Sequence, residues 1–155
     1  MLMGRISSSV LVVLTLGAAT VGCGSSGPSD VRRRECAGLG ELSNQLRALV
    51  NGKASVKQLE TATSVEQFVA YHRARAQATR EASQSKDDFT EPKVKAYAER
   101  LRKAYADEAD ANEQIAKAYE EQDRETVAKA GTKDLAASQA QVELTAEWTA
   151  QCLKP

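Results

Sequence analysis

The chain has 155 residues, and its 21 Lys and Arg residues balance 21 Asp and Glu residues, so the formal net charge is zero. This length fits a single domain. The balanced charge argues against a dedicated nucleic-acid binder, which usually carries a basic excess. With 42% apolar and 27% charged residues, the composition is not that of a disordered chain or a polytopic membrane protein.

The N-terminus is predicted to be a signal peptide that covers residues 1–22. One positive charge, at Arg5, precedes an apolar run at residues 10–19, and this order is typical of export signals. The run is too short for a transmembrane helix, which needs about 20 apolar residues. Small residues and Cys23 follow it.

This segment resembles the signal of bacterial lipoproteins, in which a small residue precedes the cysteine that is cleaved free and lipidated. Gly22-Cys23 fits that pattern, whereas Thr20 stands where the family usually has Leu. The resemblance implies that Cys23 carries a lipid that anchors the chain to a membrane. Plain secretion, with cleavage near Ala19, is the alternative.

The residues after the signal divide into a tether and a domain. Residues 23–29 are rich in Gly and Ser, which predicts a flexible tether, and residues 30–155 are predicted to form one helical domain. No Asp follows Cys23, and in the enterobacterial pattern this absence favours sorting to the outer membrane. We therefore expect the lipid anchor in the outer membrane, with the protein facing the periplasm.

Two cysteines remain in the domain, Cys36 and Cys152. An exported chain meets an oxidising compartment, where such a pair is usually bridged. The two positions lie 116 residues apart, and closing a loop of that length stabilises a fold by about 4 to 5 kcal/mol. We therefore expect a disulfide, with two separately buried thiols as the alternative.

The spacing of apolar residues in steps of three and four predicts four helices and no strand. Helix two is either continuous or a short turn followed by a main helix, with possible capping boxes at Ser55 and Thr63. Helix three ends before a cap at Asp123, unless it continues to Gly131. The predicted spans are Asp30 to Val50 (ended by Asn51-Gly52), Ser55 to Ser83, Thr90 to Glu121 or Gln122, and Asp123 to Cys152.

Four helices with short connections predict an all-α, up-down-up-down four-helix bundle closed by a terminal disulfide. That topology brings Cys36 and Cys152 to one end. The predicted inner faces include Val65 in helix two, and Leu135 and Val142 in helix four. Many positions of these faces are alanines, which bury little area each. An equally good interpretation is that some apolar surface of the bundle is left to bind a partner or a second copy.

The candidate site consists of His72, Glu108 and Tyr105, which fall on inner faces of helices two and three. A buried carboxylate is costly unless it is paired. Glu108 is therefore expected to meet His72 in a polar layer, to border a small-ligand pocket with Tyr105, or to face water on a rotated helix. The arginines of helix two are expected to be solvated: Arg73, Arg75 and Arg80.

No catalytic motif, cofactor motif or metal-ligand spacing stands out in the sequence, so we expect no catalytic residue, cofactor or metal. The first hypothesis is a non-enzymatic, lipid-anchored envelope protein whose bundle binds or scaffolds another envelope protein. The alternative is a small-ligand carrier with a pocket between helices, near His72, Glu108 and Tyr105. The sequence leaves the oligomeric state open.

Overall fold

A computed structural model describes residues 30–152, and the predictions made for residues 1–29 (signal peptide, lipidation at Cys23, tether) lie outside this range. No strand is present in the described range, which is almost entirely helical. Four helices are long and one is short. Their bounds are α1 Asp30–Lys53, α2 Val56–Glu60, α3 Val65–Ser83, α4 Pro92–Glu120 and α5 Arg124–Cys152.

The four long helices form the all-α, up-down-up-down bundle that the sequence predicts. The buried residues of α4 follow the apolar stripe of the sequence, from Val94 through Leu101 to Ile115. The central helix, α4, packs along α3 on one side and α5 on the other, and the shorter α1 lies across the first half of α4.

The disulfide prediction is confirmed, because Cys36 in α1 is bonded to Cys152 in the last turn of α5. The Cα atoms of the two cysteines are 5.8 Å apart, a normal separation for a bridge. Leu39, Val94 and Ala98 are buried beside it. The disulfide therefore joins the first and last helices at the end of the bundle where α4 begins.

Two helix boundaries differ from the prediction. Asn51-Gly52 does not end α1, which continues to Lys53, because Gly52 stays within the helical conformation instead of turning. The first cap of α3 is Ser64, not Thr63. The Ser64 hydroxyl accepts the Gln67 backbone N–H at 3.3 Å, and the Gln67 side chain accepts the Ser64 N–H at 3.3 Å, which is a capping box shifted by one residue.

The connection between α4 and α5 lies at Asp123, as expected, and the alternative of one long helix to Gly131 is wrong. Gln122 has a φ of 56°, a left-handed conformation that ends the helix. The Asp123 carboxylate then accepts the Thr126 backbone N–H at 3.0 Å and the Thr126 hydroxyl at 2.6 Å. These bonds cap α5.

A side chain of α1 binds the residues just before α4, while α4 itself is capped by Glu91, whose carboxylate accepts the Val94 backbone N–H at 2.8 Å. Glu35 of α1 accepts the backbone N–H of Glu91 at 2.7 Å and the hydroxyl of Thr90 at 2.6 Å. Both contacts lower the pKa of the Glu35 carboxyl, the hydroxyl of Thr90 most. Because this one carboxylate of α1 binds both Thr90 and Glu91, it ties α1 to the loop that precedes α4.

The prediction that Leu135 and Val142 of α5 and Val65 of α3 lie on inner faces is wrong. Leu135 and Val142 are 65% and 67% exposed, and Val65 is 51% exposed. The residues that α5 buries are Ala130, Ala137 and Leu144. Between them in the chain lie Asp134 and Gln141, which form hydrogen bonds with α4. These bonds orient α5 so that the alanine-rich face points toward the core, and the face with Leu135 and Val142 points outward.

A glycine allows α1 to approach α5. A Cβ added at Gly40 would lie 2.8 and 2.9 Å from two ring carbons of Trp148, and a rigid ring cannot bend away. We expect Gly40→Ala to destabilise the fold by about 1 to 3 kcal/mol, measured by thermal unfolding followed by far-ultraviolet circular dichroism.

The matched control is Gly131→Ala in α5, where an added Cβ meets nothing within 4 Å. Because alanine is the better helix former, this variant should be more stable than the natural chain by about 0.5 to 1 kcal/mol. A Gly40→Ala variant that unfolds at or above the natural temperature would contradict the close packing of Trp148 on Gly40.

Candidate functional site

Polar side chains from three helices meet inside the bundle, between α3, α4 and α5. They include His72 and Glu108, two of the three residues of the candidate site that the sequence places on inner faces. We call this cluster the buried polar network: His72, Arg75, Glu108, Asn112, Asp134 and Gln141.

Glu108 is the centre of one half of the network. Its side chain is fully buried, and one carboxylate oxygen accepts from Nε and Nη2 of Arg75 at 2.7 and 2.5 Å. The other oxygen accepts from Nε2 of Gln141 at 2.5 Å. The carboxylate is thus satisfied by a charged partner on α3 and a neutral one on α5, as a buried charge requires.

The expectation that Arg75 is solvated is wrong, since only 17% of its side chain is exposed. Burial acts to lower the pKa of Arg75, but Glu108, Tyr71 and Asp134 together more than offset burial, and the pKa is raised overall. Nη1 also reaches the carbonyl of Ala54 at 3.4 Å, just after α1. Its neighbours Arg73 and Arg80 are exposed, although each forms an ion pair with α4.

His72 belongs to the other half of the network. Its Nδ1 lies 2.7 Å from Oδ1 of Asn112, and Nδ2 of Asn112 donates to the Glu108 carbonyl at 3.0 Å and to Asp134 Oδ1 at 2.5 Å. Because both amide hydrogens of Asn112 are used by acceptors, its oxygen faces the imidazole, and Nδ1 of His72 carries the donated hydrogen.

Burial shifts the two titratable groups of this half in directions that favour their neutral forms. It lowers the pKa of His72, against a smaller opposing contribution from the hydrogen bond to Asn112. It raises the pKa of Asp134, with the charge of Arg75 opposing it. Burial thus acts against charge in the half that contains His72, whereas in the other half the Glu108 carboxylate is paired with Arg75.

Tyr105 does not border a cavity with these residues. It is only 4% exposed and packs in an apolar cluster with Leu46, Val50 and Leu101. Burial, reinforced by the nearby Glu108 charge, raises the pKa of Tyr105 to about 12. The phenol is therefore neutral across the physiological pH range.

The structure brings Glu108 and His72 into one buried layer but does not pair them directly. Glu108 binds Arg75, and His72 reaches it only through Asn112. Sequence analysis missed Asp134 and Gln141, although their spacing of seven residues places both on one face of α5. Both carboxylate oxygens of Glu108 accept hydrogen bonds from Arg75 or Gln141. The network therefore fixes the positions of the helices and leaves no unpaired base at Glu108.

Two open grooves lie on the surface of the described part. One of about 720 Å³ lies between the start of α3 and the end of α4, and another of about 590 Å³ lies beside Trp148 on α1. Neither is lined by His72, Glu108 or Tyr105. Within residues 30–152, no group of three His, Cys, Asp or Glu side chains is placed to hold a metal ion.

Removing one member of the buried ion pair should be far more harmful than removing an exposed one. We expect Arg75→Met to destabilise the fold by about 3 to 5 kcal/mol, because it leaves Glu108 charged, buried and unpaired. The control is Arg73→Met, which removes an exposed pair with Glu120 and should cost about 1 kcal/mol or less.

Denaturant unfolding of both variants, and of Arg75→Met/Glu108→Met, measures this difference. The double variant removes both charges, so it should recover part of the stability lost by Arg75→Met. Equal losses for Arg75→Met and Arg73→Met would show that the Glu108 pair is not a buried one.

The single histidine of the chain should titrate below its ordinary pKa of 6.5, because burial lowers the pKa of His72. Below pH 6.5 the imidazole of His72 then binds a proton in the unfolded chain but not yet in the folded chain. The contribution of His72 to stability is therefore fully present above pH 6.5, and it is lost as the pH drops toward and through the lower pKa of the folded chain. An NMR titration of the imidazole carbon-bound hydrogens measures the folded pKa directly.

The control is His72→Asn, which should lack this contribution to the pH dependence of unfolding while the carboxylates keep theirs. A folded pKa of 6.5 or higher, or an unchanged pH profile in His72→Asn, would contradict a neutral buried imidazole.

Comparisons with known proteins find no match: no family model matches the chain, and no curated protein or solved structure is significantly similar to it. Among the described helices, none is long and apolar enough to span a membrane.

Proposed function

We propose that this chain is a non-enzymatic, lipid-anchored protein of the bacterial cell envelope, whose helical bundle binds or scaffolds another envelope protein. The observation that supports it best is the disulfide between Cys36 and Cys152. Disulfides persist in oxidising compartments and are rare in the reducing cytosol of most bacteria. The bridge therefore agrees with the export that residues 1–22 predict.

The position of the bridge also suits a tether. The helix α1 begins at Asp30, and the disulfide holds this helix at the same end of the bundle as the last turn of α5. From Cys23 to Asp30 the chain has seven steps, which span at most about 25 Å when fully extended. An anchor at Cys23 would thus keep the bridged end near the membrane surface. We place that membrane as the outer one, with the bundle in the periplasm.

A binding role also agrees with the distribution of polar and apolar side chains between the interior and the surface. The buried polar network joins three helices, and its charged members are occupied by one another. The outer surface, in contrast, has exposed apolar side chains away from α5, including Val56 and Val65. This distribution favours a rigid body that presents a surface over a site that performs chemistry.

The alternative of a small-ligand carrier needs an apolar cavity bordered by His72, Glu108 and Tyr105. Those side chains instead contact their neighbours in the described part of the chain, with relative exposures of 9%, 0% and 4%. No observation on the bundle favours a ligand there over the packing already present. We therefore keep the binding module as the proposal.

The anchor is tested by Cys23→Ala in the full-length chain, expressed in a bacterium with an outer membrane. We expect the natural chain to sediment with membranes and to carry the mass of a lipid on Cys23, whereas the variant should lose the lipid mass and become extractable without detergent. The measurements are membrane fractionation and intact mass spectrometry.

The matched control is Ser25→Ala, two residues along the same segment, which should stay lipidated and membrane-bound. A natural chain of unlipidated mass that is released without detergent would refute the anchor. A lipidated chain that cross-links to no other envelope protein in living cells would keep the anchor and refute the scaffolding role.

A further inference from the structure

One face of α5 is exposed along its length although it has the pattern of a helix–helix contact. Leu135 and Val142, seven residues apart, are 65% and 67% exposed. They belong to a series with alternating steps of four and three that contains no charge, a spacing typical of a coiled-coil seam. We call this series the exposed α5 face: Ala128, Thr132, Leu135, Gln139, Val142 and Ala146.

The exposed α5 face is uncovered because the opposite face makes the contact with the bundle. The buried residues of α5 are Ala130, Ala137 and Leu144, which lie about half a turn away from Leu135 and Val142. The hydrogen bonds of Asp134 and Gln141 to α4 hold α5 in that rotation. The apolar face therefore cannot rotate inward without breaking the buried polar network.

Charges flank the exposed α5 face asymmetrically. Two lysines, Lys129 and Lys133, stand beside its first half, and two glutamates, Glu143 and Glu147, stand on the same flank beside its second half. Within the chain Lys129 pairs with Glu125 and Glu147 with Arg100, whereas Lys133 bonds the neutral Gln114. The charge complementarity therefore rests mainly on Lys133 and Glu143. In a second α5 laid alongside in parallel, this flank would lie on the far side, so the four charges would not face their counterparts. Laid antiparallel, it opposes each lysine pair to a glutamate pair.

The antiparallel register that matches the apolar side chains also matches the charges. With Gln139 opposite Gln139 of the second copy, Leu135 lies across from Val142 of that copy. In the same register Lys133 lies across from Glu143, and Lys129 from Glu147, each within about 3 Å along the helix axis at 1.5 Å per residue. One two-fold axis near Gln139 satisfies both patterns, as a closed dimer requires.

We propose that the exposed α5 face is the docking site of a second copy of this chain, in an antiparallel α5–α5 dimer with its two-fold axis near Gln139. Because most side chains of the face are small, the contact is at the lower end of specific interfaces, below about 1,200 Å². The dimer is accordingly reversible, with a dissociation constant in the micromolar range. This inference stands on α5 alone and is independent of the lipid anchor.

The first experiment uses the symmetry of the proposed dimer. In the full-length chain, Gln139→Cys should form a disulfide with its own counterpart under mild oxidation and give a covalent dimer on a non-reducing gel. The control is Glu99→Cys, an equally exposed position on α4, which should stay monomeric. A cross-link from position 139 to another protein or to residues 1–29, or no cross-link at all, would overturn the proposal.

The second experiment reverses single charges at exposed positions, so the fold of each variant is retained. By sedimentation equilibrium of the full-length protein in density-matched detergent, Lys133→Glu and Glu143→Lys should each weaken self-association at least about tenfold. An equimolar mixture of the two, which again pairs opposite charges, should associate at least as tightly as the natural chain.

The matched control is Lys103→Glu, on the exposed face of α4, which should leave the association unchanged. A natural chain that remains monomeric at the highest soluble concentration would overturn the proposal. So would charge reversals that weaken association equally alone and in the mixture.

Discussion

The ion pair between Arg75 and Glu108 is the contact on which the arrangement of the bundle depends. It places a charge from α3 against a fully buried carboxylate of α4, and Gln141 of α5 completes the carboxylate's hydrogen bonds. A buried pair of this kind stabilises a fold only modestly, but it strongly penalises any register that separates its members. Alanine-rich helices can slide past one another at little cost in free energy. A polar layer that tolerates only one alignment therefore specifies the helix register, which small apolar side chains do not.

The helix α1 is held in a different manner. It covers only the first half of α4, and its buried residues belong to two small clusters, one around Leu39 and one around Leu46 and Val50. Two attachments fix its ends: the covalent bridge from Cys36 to α5, and the Arg75 contact with the carbonyl of Ala54 just beyond its last turn. Between them, Glu35 binds Thr90 and Glu91 just before α4. The first helix is therefore attached to all three of the others by polar or covalent contacts as well as by packing.

The sequence predicts the helices and the bridge because both follow from local or topological rules. Asp123 can be recognised as a cap from its own position, and Cys36 and Cys152 meet because an even number of antiparallel helices returns the chain to its start. The inner face of α5 does not follow from such rules. Periodicity selects Leu135 and Val142, the larger apolar side chains, whereas the buried face is selected by Asp134 and Gln141, whose partners lie 22 and 33 residues earlier in the chain. A pairing over that distance leaves no local signal, and for the same reason the role of Arg75 was missed.

The bridge at the first turns of α1 also determines how the domain bears mechanical load. A pull on the segment that precedes Asp30 enters α1 at its N-terminus and reaches Cys36 after only six residues. There the covalent bond divides the force between α1 and the end of α5, so that α1 cannot be unzipped from the bundle one turn at a time. Only the stretch from Asp30 to Glu35 can yield, and within it Arg32 is bonded to the carbonyl of Gln151 at 3.2 Å. A domain pulled from this end resists as a whole, with the load shared by its first and last helices.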